Sequence, residues 1–474
     1  MIGIILLIVL LLVLIMLIIM TYYLRTVKKE FDAAGEATED MAVEKKKVDI
    51  ASTQTFVYSA IILTAVGMIV AVYLYVKGTT REAHLMEWLN IVIRWMHFTF
   101  GIAWIGASFY FVFLENALNR TKDIREELAG NLWAIHGGGF YYLEKYKVAP
   151  KTIPKHLHWF KYEAYFTWLS GFCLLFVVYY FNASALLIDK NVLDISPMSG
   201  IGIGVGSFII AWVLYDLLCK STLMKRKFLF AFIGFVFAAG FAYFYTRVFS
   251  SRAAYIHFGA MIGSIMVANV FFVIIPSQKA MVKAAREGKP LDPQLGKNAL
   301  ARSLHNNYFT LPVLFVMISN HFPSTFGNEH AWLILSIITF GAAGIKHYLN
   351  LREKDQLTVW VMPVSVMILL AAAFISAPPA NPGACSEKVS ITEVIAIINT
   401  RCISCHSSKP TDDVYKLPPN GVVYDTPEDI IKKKDLIMQR VVITKTMPQN
   451  NKTNITQLER DKLRCWIEQG AVVR

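Results

Sequence analysis

Along most of this chain, apolar and nearly uncharged runs alternate with short polar stretches rich in lysine. The runs lie at about 1–20, 56–76, 87–114, 163–181, 200–219, 228–249, 254–275, 308–322, 331–350 and 358–376. About 20 apolar residues reach across a bilayer as a helix. The pattern therefore predicts an all-α fold, a polytopic transmembrane helical bundle of about ten spans. At Ala377-Pro378-Pro379-Ala380-Asn381-Pro382-Gly383 the pattern breaks into a stretch that is stiff and extended. Beyond it the periodicity is that of a small soluble domain. The expected organisation is an N-terminal membrane anchor (1–24), a cytoplasmic polar connector (25–55), a transmembrane domain (56–376), a proline-rich linker (377–384) and a C-terminal domain (385–474). Met1–Met20 lacks the basic start and small-residue cleavage site of a signal peptide, so it is read as a retained anchor.

Composition agrees. Of 474 residues, 55% are hydrophobic and 17% charged, which excludes an ordinary soluble enzyme. A net charge of +13 would suit nucleic acid if the cations shared one face. Instead they fall between apolar runs, at Lys145, Lys147, Lys151 and Lys155, at Lys220, Lys225, Arg226 and Lys227, and at Lys279, Lys283, Arg286 and Lys289. The 182–199 loop holds two aspartates and one lysine. By the positive-inside rule the basic loops are cytoplasmic, and the C-terminal domain lies on the other side. The expected partner is a lipid bilayer, with no nucleic acid.

Cys402-Ile403-Ser404-Cys405-His406 changes the picture, because C-x-x-C-H is the attachment signature of a c-type haem. Cys402 and Cys405 would bond covalently to the porphyrin edge, and His406 would ligate iron. Such attachment happens outside the cytoplasm, as the lysine pattern independently requires. No histidine follows His406, so the natural sixth ligand is a methionine. Met438 lies in an apolar-periodic helix, where a core role is expected, whereas Met447 sits in the loop Thr446-Met447-Pro448 and is the preferred ligand. Thr456 to Gln469 reads as an amphipathic helix with Leu458, Leu463, Trp466 and Ile467 on its apolar face. This order resembles a class I cytochrome c. Cys385 and Cys465 could approach one another if the terminal helices pack together, or remain unpaired thiols. Cys173 and Cys219, in apolar segments, read as packing residues.

Ionisable residues inside spans are costly and tend to mark function. Arg94, His97, Gly101, Trp104 and Ser108 share one helical face. His97, His257 and His321 belong to the same half of the membrane and are candidate ligands of a membrane haem b or another metal centre. Each could equally be a histidine that hydrogen-bonds a neighbouring helix. The inner half holds His136, His156, His158, His305 and His347. Three glycines after His136 could bring backbone amides against an anion, and the absence of a G-x-S-x-G nucleophile argues against hydrolase chemistry. Gly200, Gly202, Gly204 and Gly206 have no nucleotide-binding context and read as small residues that let helices approach.

Several of these segments are similar to one family. Arg94-Trp95-Met96-His97 with Gly101-Ile102-Ala103-Trp104, Leu132-Trp133-Ala134-Ile135-His136-Gly137-Gly138-Gly139, His305-Asn306-Asn307-Tyr308-Phe309, Ser319-Asn320-His321-Phe322-Pro323 and His347-Tyr348-Leu349-Asn350 resemble the cytochrome-c-linked membrane urate hydroxylases. The similarity starts at about 87 and runs through 376 into the C-terminal domain. It implies a catalytic membrane domain that hydroxylates urate to 5-hydroxyisourate. It further implies that electrons pass to the chain's own c-type haem and on to a terminal oxidase or a soluble cytochrome c. The location it implies is a bacterial inner membrane with the cytochrome domain periplasmic. His136, His158, His305, His347 and Arg352 are the candidates for handling an anionic purine arriving from the cytoplasm. Two other readings remain: a respiratory-chain subunit (a quinol or terminal oxidase component) with a fused cytochrome c, and a non-catalytic anchor or transporter with an electron-transfer module. The chain has no His-His pair of the kind haem–copper centres favour.

Overall fold

Apolar surface that cannot face water must face lipid or another helix, and this chain meets that demand with a helical bundle. The computed structural model describes residues 60–472, apart from 61–63, 65–66, 69, 78, 122, 151, 155–156, 355, 357, 378–384 and 386. The expected anchor and connector lie outside the described residues, and the 56–76 span is described only in part. The chain divides into two compact units, Met1–Trp88 and Leu89–Arg474, and the second holds every candidate site residue.

The helices are α1 (Thr80–Asn116), α2 (Tyr162–Tyr180), α3 (Pro197–Lys220), α4 (Lys227–Val248), α5 (Ser251–Arg286), α6 (Pro293–Ser319), α7 (Ala331–Arg352) and α8 (Val361–Ile375). Among the described residues six of them, all but α6 and α8, are long and apolar enough to cross a membrane. The expected span at 308–322 is the second half of α6, whose first turns are polar, and the one at 358–376 is a helix of 15 residues. Successive helices run antiparallel. One end of the bundle therefore carries residues 117–161, 221–226, 287–292 and 353–360, and the opposite end carries 181–196, 249–250 and 320–330.

α5 is the hub. Half of its most apolar window is buried, whereas none of α1's is. Small residues explain the close approach: a Cβ on Gly259 would stand 2.5 Å from Val316 of α6. On α3, Gly200 and Gly204 face packed neighbours while Gly202 and Gly206 face open space, so only alternate members of the glycine run serve helix approach.

An all-α chain was expected, but β1 (Leu128–His136) and β2 (Gly139–Tyr146) form an antiparallel hairpin. Gly137 and Gly138, at φ +58° and +79°, occupy the two-residue turn, where positive φ matches the twist of the strands. The three-glycine stretch thus closes a hairpin, with Gly139 already in β2. Trp133, Ile135, Phe140 and Tyr142 share one exposed face of this ribbon. Lys145 pairs with Glu115 and ties it to the end of α1.

Beyond the linker, α9 (Ile391–Arg401) and α10 (Gln457–Glu468) each start with a capping box, Ser390 with Glu393 and Thr456 with Glu459. Val394, Ile398, Leu463 and Trp466 form their shared core. A disulfide joins Cys385 to Cys465 across a Cα–Cα distance of 5.4 Å. Leu458, expected on the apolar face, is 68% exposed. Arg460 takes a buried position in that helix and donates to the Met447 carbonyl at 2.9 Å.

Candidate functional site

The hairpin end of the bundle holds a buried polar network. Arg302 of α6 donates through Nη2 to Asp216 Oδ1 of α3 at 2.6 Å and through Nη1 to Asn269 Oδ1 of α5 at 3.3 Å. Asn269 in turn donates to Tyr215 Oη at 3.1 Å and to Asn306 Oδ1 at 2.8 Å. Asn306 donates to the Met266 carbonyl at 2.9 Å, and Tyr215 Oη meets His305 Nδ1 at 2.8 Å. Asn269 opens a π-helical turn, Asn269–Ile274, which widens α5 beside the network. Burying these groups in an apolar bundle is costly unless each is paired, and here they pair with one another.

A cavity of about 1330 Å³ borders the network, lined by Trp104, Ser108 and Glu115 of α1, by His158, and by Ser303 and Asn306 of α6. Of the sequence-derived candidates, His305 joins the network and His158 lines the cavity. His347 is exposed and meets Tyr308 Oη at 2.7 Å. His136 is exposed at the tip of the hairpin, and Arg352 is exposed in the last turn of α7. Those three are not drawn into the network. His156 lies outside the described residues. Asp216, Asn269 and Arg302 carry no signal in the sequence reading, and Asn306 enters it only within a family-like segment. The same rule that marked Arg94, an ionisable or polar group inside a span, would have marked Asp216 and Asn269. Arg94 itself is exposed and donates within its own helix to Asn90 Oδ1.

The outer histidines do not assemble a metal centre, and among the described residues no group of three His, Cys, Asp or Glu does so. His97 holds Nδ1 3.0 Å from the Thr167 carbonyl, and its ring lies over Gly171, where a Cβ would come within 2.7 Å of Cε1. Gly101 faces α2 near Thr167, so it serves helix packing. His257 is fully buried, with Nδ1 2.8 Å from the Ala253 carbonyl and Nε2 3.1 Å from Tyr180 Oη. Phe208, Tyr245 and Phe249 surround its ring, and a Cβ on Gly204 would stand 3.0 Å from Nε2. Both ring nitrogens of His257 are thus engaged inside the core, and neither is presented to a metal. His321 is exposed at the opposite end.

The C-x-x-C-H segment follows α9. Cys402 and Cys405 carry free thiols, and burial pushes Cys402 up to about 12. His406 Nδ1 lies 3.0 Å from the Val422 carbonyl, which leaves Nε2 free to ligate a metal. Burial lowers its pKa and keeps the imidazole neutral, the form that binds metal. Met447 packs against the same core as Cys402. The loop that follows Met447 seats on the bundle end remote from the hairpin. Asn450 Nδ2 donates to the Ala185 and Ile188 carbonyls, and Gln449 Nε2 to Ala185, each at 2.9 Å. Gly327 sits against Thr444 and Thr446, where a Cβ would meet each at 2.7 Å.

Residues 83–377 match the urate oxidase N-terminal family. The chain belongs to that family. The match covers the whole bundle from α1's apolar stretch to the end of α8, and with it the network and its cavity. Neither the curated proteins nor the solved structures returned a match. Membership in a urate oxidase family supports an oxidoreductase acting on urate.

Proposed function

We propose that this protein hydroxylates urate to 5-hydroxyisourate in its membrane domain and delivers the electrons to a covalent haem c in its C-terminal domain. The observation that carries the reading is one chain joining the family-matched bundle to a C-x-x-C-H segment whose histidine is already oriented by Val422. Urate takes up the oxygen of one water and releases two electrons and two protons. Cys402 and Cys405 would hold the haem, with His406 and Met447 as axial ligands, and the donor set fits. When bound, that haem accepts the electrons one at a time. The lysine-rich loops lie at the hairpin end, opposite the seated C-terminal domain, which supports a cytoplasmic hairpin end and a periplasmic C-terminal domain in a bacterial inner membrane. The final acceptor would be a terminal oxidase or a soluble cytochrome c.

Anaerobic addition of urate to the purified protein should produce the absorbance of reduced haem c within the turnover time. Reduction only by a quinol would assign the chain to a respiratory complex, and no response to either would leave an anchor carrying an electron carrier.

The seat of the C-terminal domain makes a second prediction. Gly327→Val would push its side chain into Thr444 and Thr446 and unseat the loop beside Met447. Urate binding should be unchanged, while haem reduction in stopped flow slows at least tenfold. An unchanged rate would mean that electrons enter the C-terminal domain by another face.

A further inference from the structure

The last turns of α5 run past the depth that lipid tails cover. From Ser251 to Lys279 the helix rises about 42 Å, at about 1.5 Å per residue. That rise matches a bilayer with its headgroups, about 40–45 Å. These turns are two-sided. Gln278, Met281 and Val282 line the cavity, whereas Lys279, Lys283 and Arg286 line a smaller pocket of about 340 Å³ beside it. Val282 and Trp159 border both, so the two spaces meet at their side chains.

The cations of the smaller pocket are available to a ligand. Lys279 and Lys283 are exposed, and among the described residues Lys279 forms no ion pair. Lys283 meets Glu287 only at 4.0 Å, and Lys289 takes that carboxylate at 2.8 Å. Arg286 donates to the Pro154 carbonyl at 3.4 Å, which ties α5 to the segment that walls the cavity. The cavity itself is lined mainly by apolar side chains. Val148, Phe160 and Leu300 line it and are each at least 50% exposed, so they have surface to offer.

We infer that the cavity and its basic mouth hold one anionic phospholipid of the adjoining leaflet. Its phosphate lies on Lys279 and Lys283, and an acyl chain passes Trp159 and Val282 into the cavity. Basic pockets between spans at headgroup depth take anionic lipid heads, and a tryptophan at the mouth suits the same interface. A zwitterionic lipid would bring its own ammonium beside these cations and lose the attraction. The cavity, at about 1330 Å³, exceeds the roughly 300–1,000 Å³ of pockets for drug-sized molecules. A chain on the α5 side therefore leaves the end at Ser108, Ser303 and Asn306 open to a small polar ligand. The inference is independent of which molecule is oxidised.

The test uses the purified full-length protein, delipidated in detergent and titrated with dioleoylphosphatidylglycerol or dioleoylphosphatidylcholine. Native mass spectrometry counts the bound lipid, and thermal midpoints are read with and without it. One phosphatidylglycerol should bind at least tenfold more tightly than phosphatidylcholine and raise the midpoint, as any ligand of the folded state does. Lys279→Gln with Lys283→Gln should remove that preference and leave the lipid-free midpoint unchanged. Val282→Trp, which fills the neck between the two spaces, should abolish binding of the single lipid. Should Val282→Trp fail to fold, the lysine pair alone decides. Equal affinity of the unmodified protein for the two lipids would overturn the site and show annular lipid only. Normal phosphatidylglycerol binding by either variant would overturn it too, by placing the lipid elsewhere on the bundle.

Discussion

A protein in which Cys402 and Cys405 are both alanine should carry no covalently bound haem, and its urate-driven electron transfer should fall to background. Both thiols precede His406, the proposed iron ligand, and among the described residues they are not paired with other cysteines. Removing them takes away the covalent tether, leaves the His406–Val422 hydrogen bond in place and trims the α9–α10 core only by the Cys402 sulfur. The disulfide between Cys385 and Cys465 is untouched. The domain should therefore still fold, and its loss would be one of cofactor and not of structure. Urate affinity should stay at the unmodified level, because the cavity lies at the far end of the bundle. Haem staining of a denaturing gel reads the first outcome, dialysis the second, and reduction of an added cytochrome the third. Continued reduction of an external acceptor by the double variant would show that electrons leave the membrane domain without this carrier.

Apolar periodicity carried most of the bundle, because lipid imposes the same demand on every residue of a span. It failed where that demand lapses. Between the 87–114 and 163–181 runs hydropathy predicts no element, since a two-stranded ribbon leaves an alternating pattern too short to stand out from its aromatic content. In α6, polar residues 293–303 extend a helix that hydropathy recognises only from 308 onward. The site was legible in kind and not in identity. Histidines drew attention because imidazoles serve many chemistries, yet His257 proved to be a core residue whose two ring nitrogens are both taken. The groups that converge are two asparagines, an aspartate, an arginine, a tyrosine and a histidine on three different helices. Only tertiary packing, including the π turn at Asn269, brings them together, and no spacing along the sequence reports it. In the C-terminal domain the amphipathic pattern of 456–469 predicts α10, and only Leu458 departs from its buried face.

Asp216→Ala should be the most destabilising single change in the bundle, at about 3–5 kcal/mol. Arg302 is 5% exposed, and its nearest countercharge is Asp216 at 2.6 Å. With the carboxylate gone, the guanidinium keeps only neutral partners, Asn269 at 3.3 Å and the rings of Tyr215 and Trp212, and stays buried without a countercharge. Lys220, the other partner of Asp216, is mostly exposed and loses little. The paired variant Asp216→Ala with Arg302→Met removes both charges and fills the space with an apolar chain, so it should recover most of the loss. Denaturation of the solubilised protein, followed by far-ultraviolet circular dichroism, separates the single from the double variant. Equal stability of the two would mean that Arg302 finds another countercharge, and the ion pair would then be dispensable to the network around Asn269. The predicted order, unmodified, then double, then Asp216→Ala, would instead identify the pair as the element that holds α3, α5 and α6 in register beside the cavity.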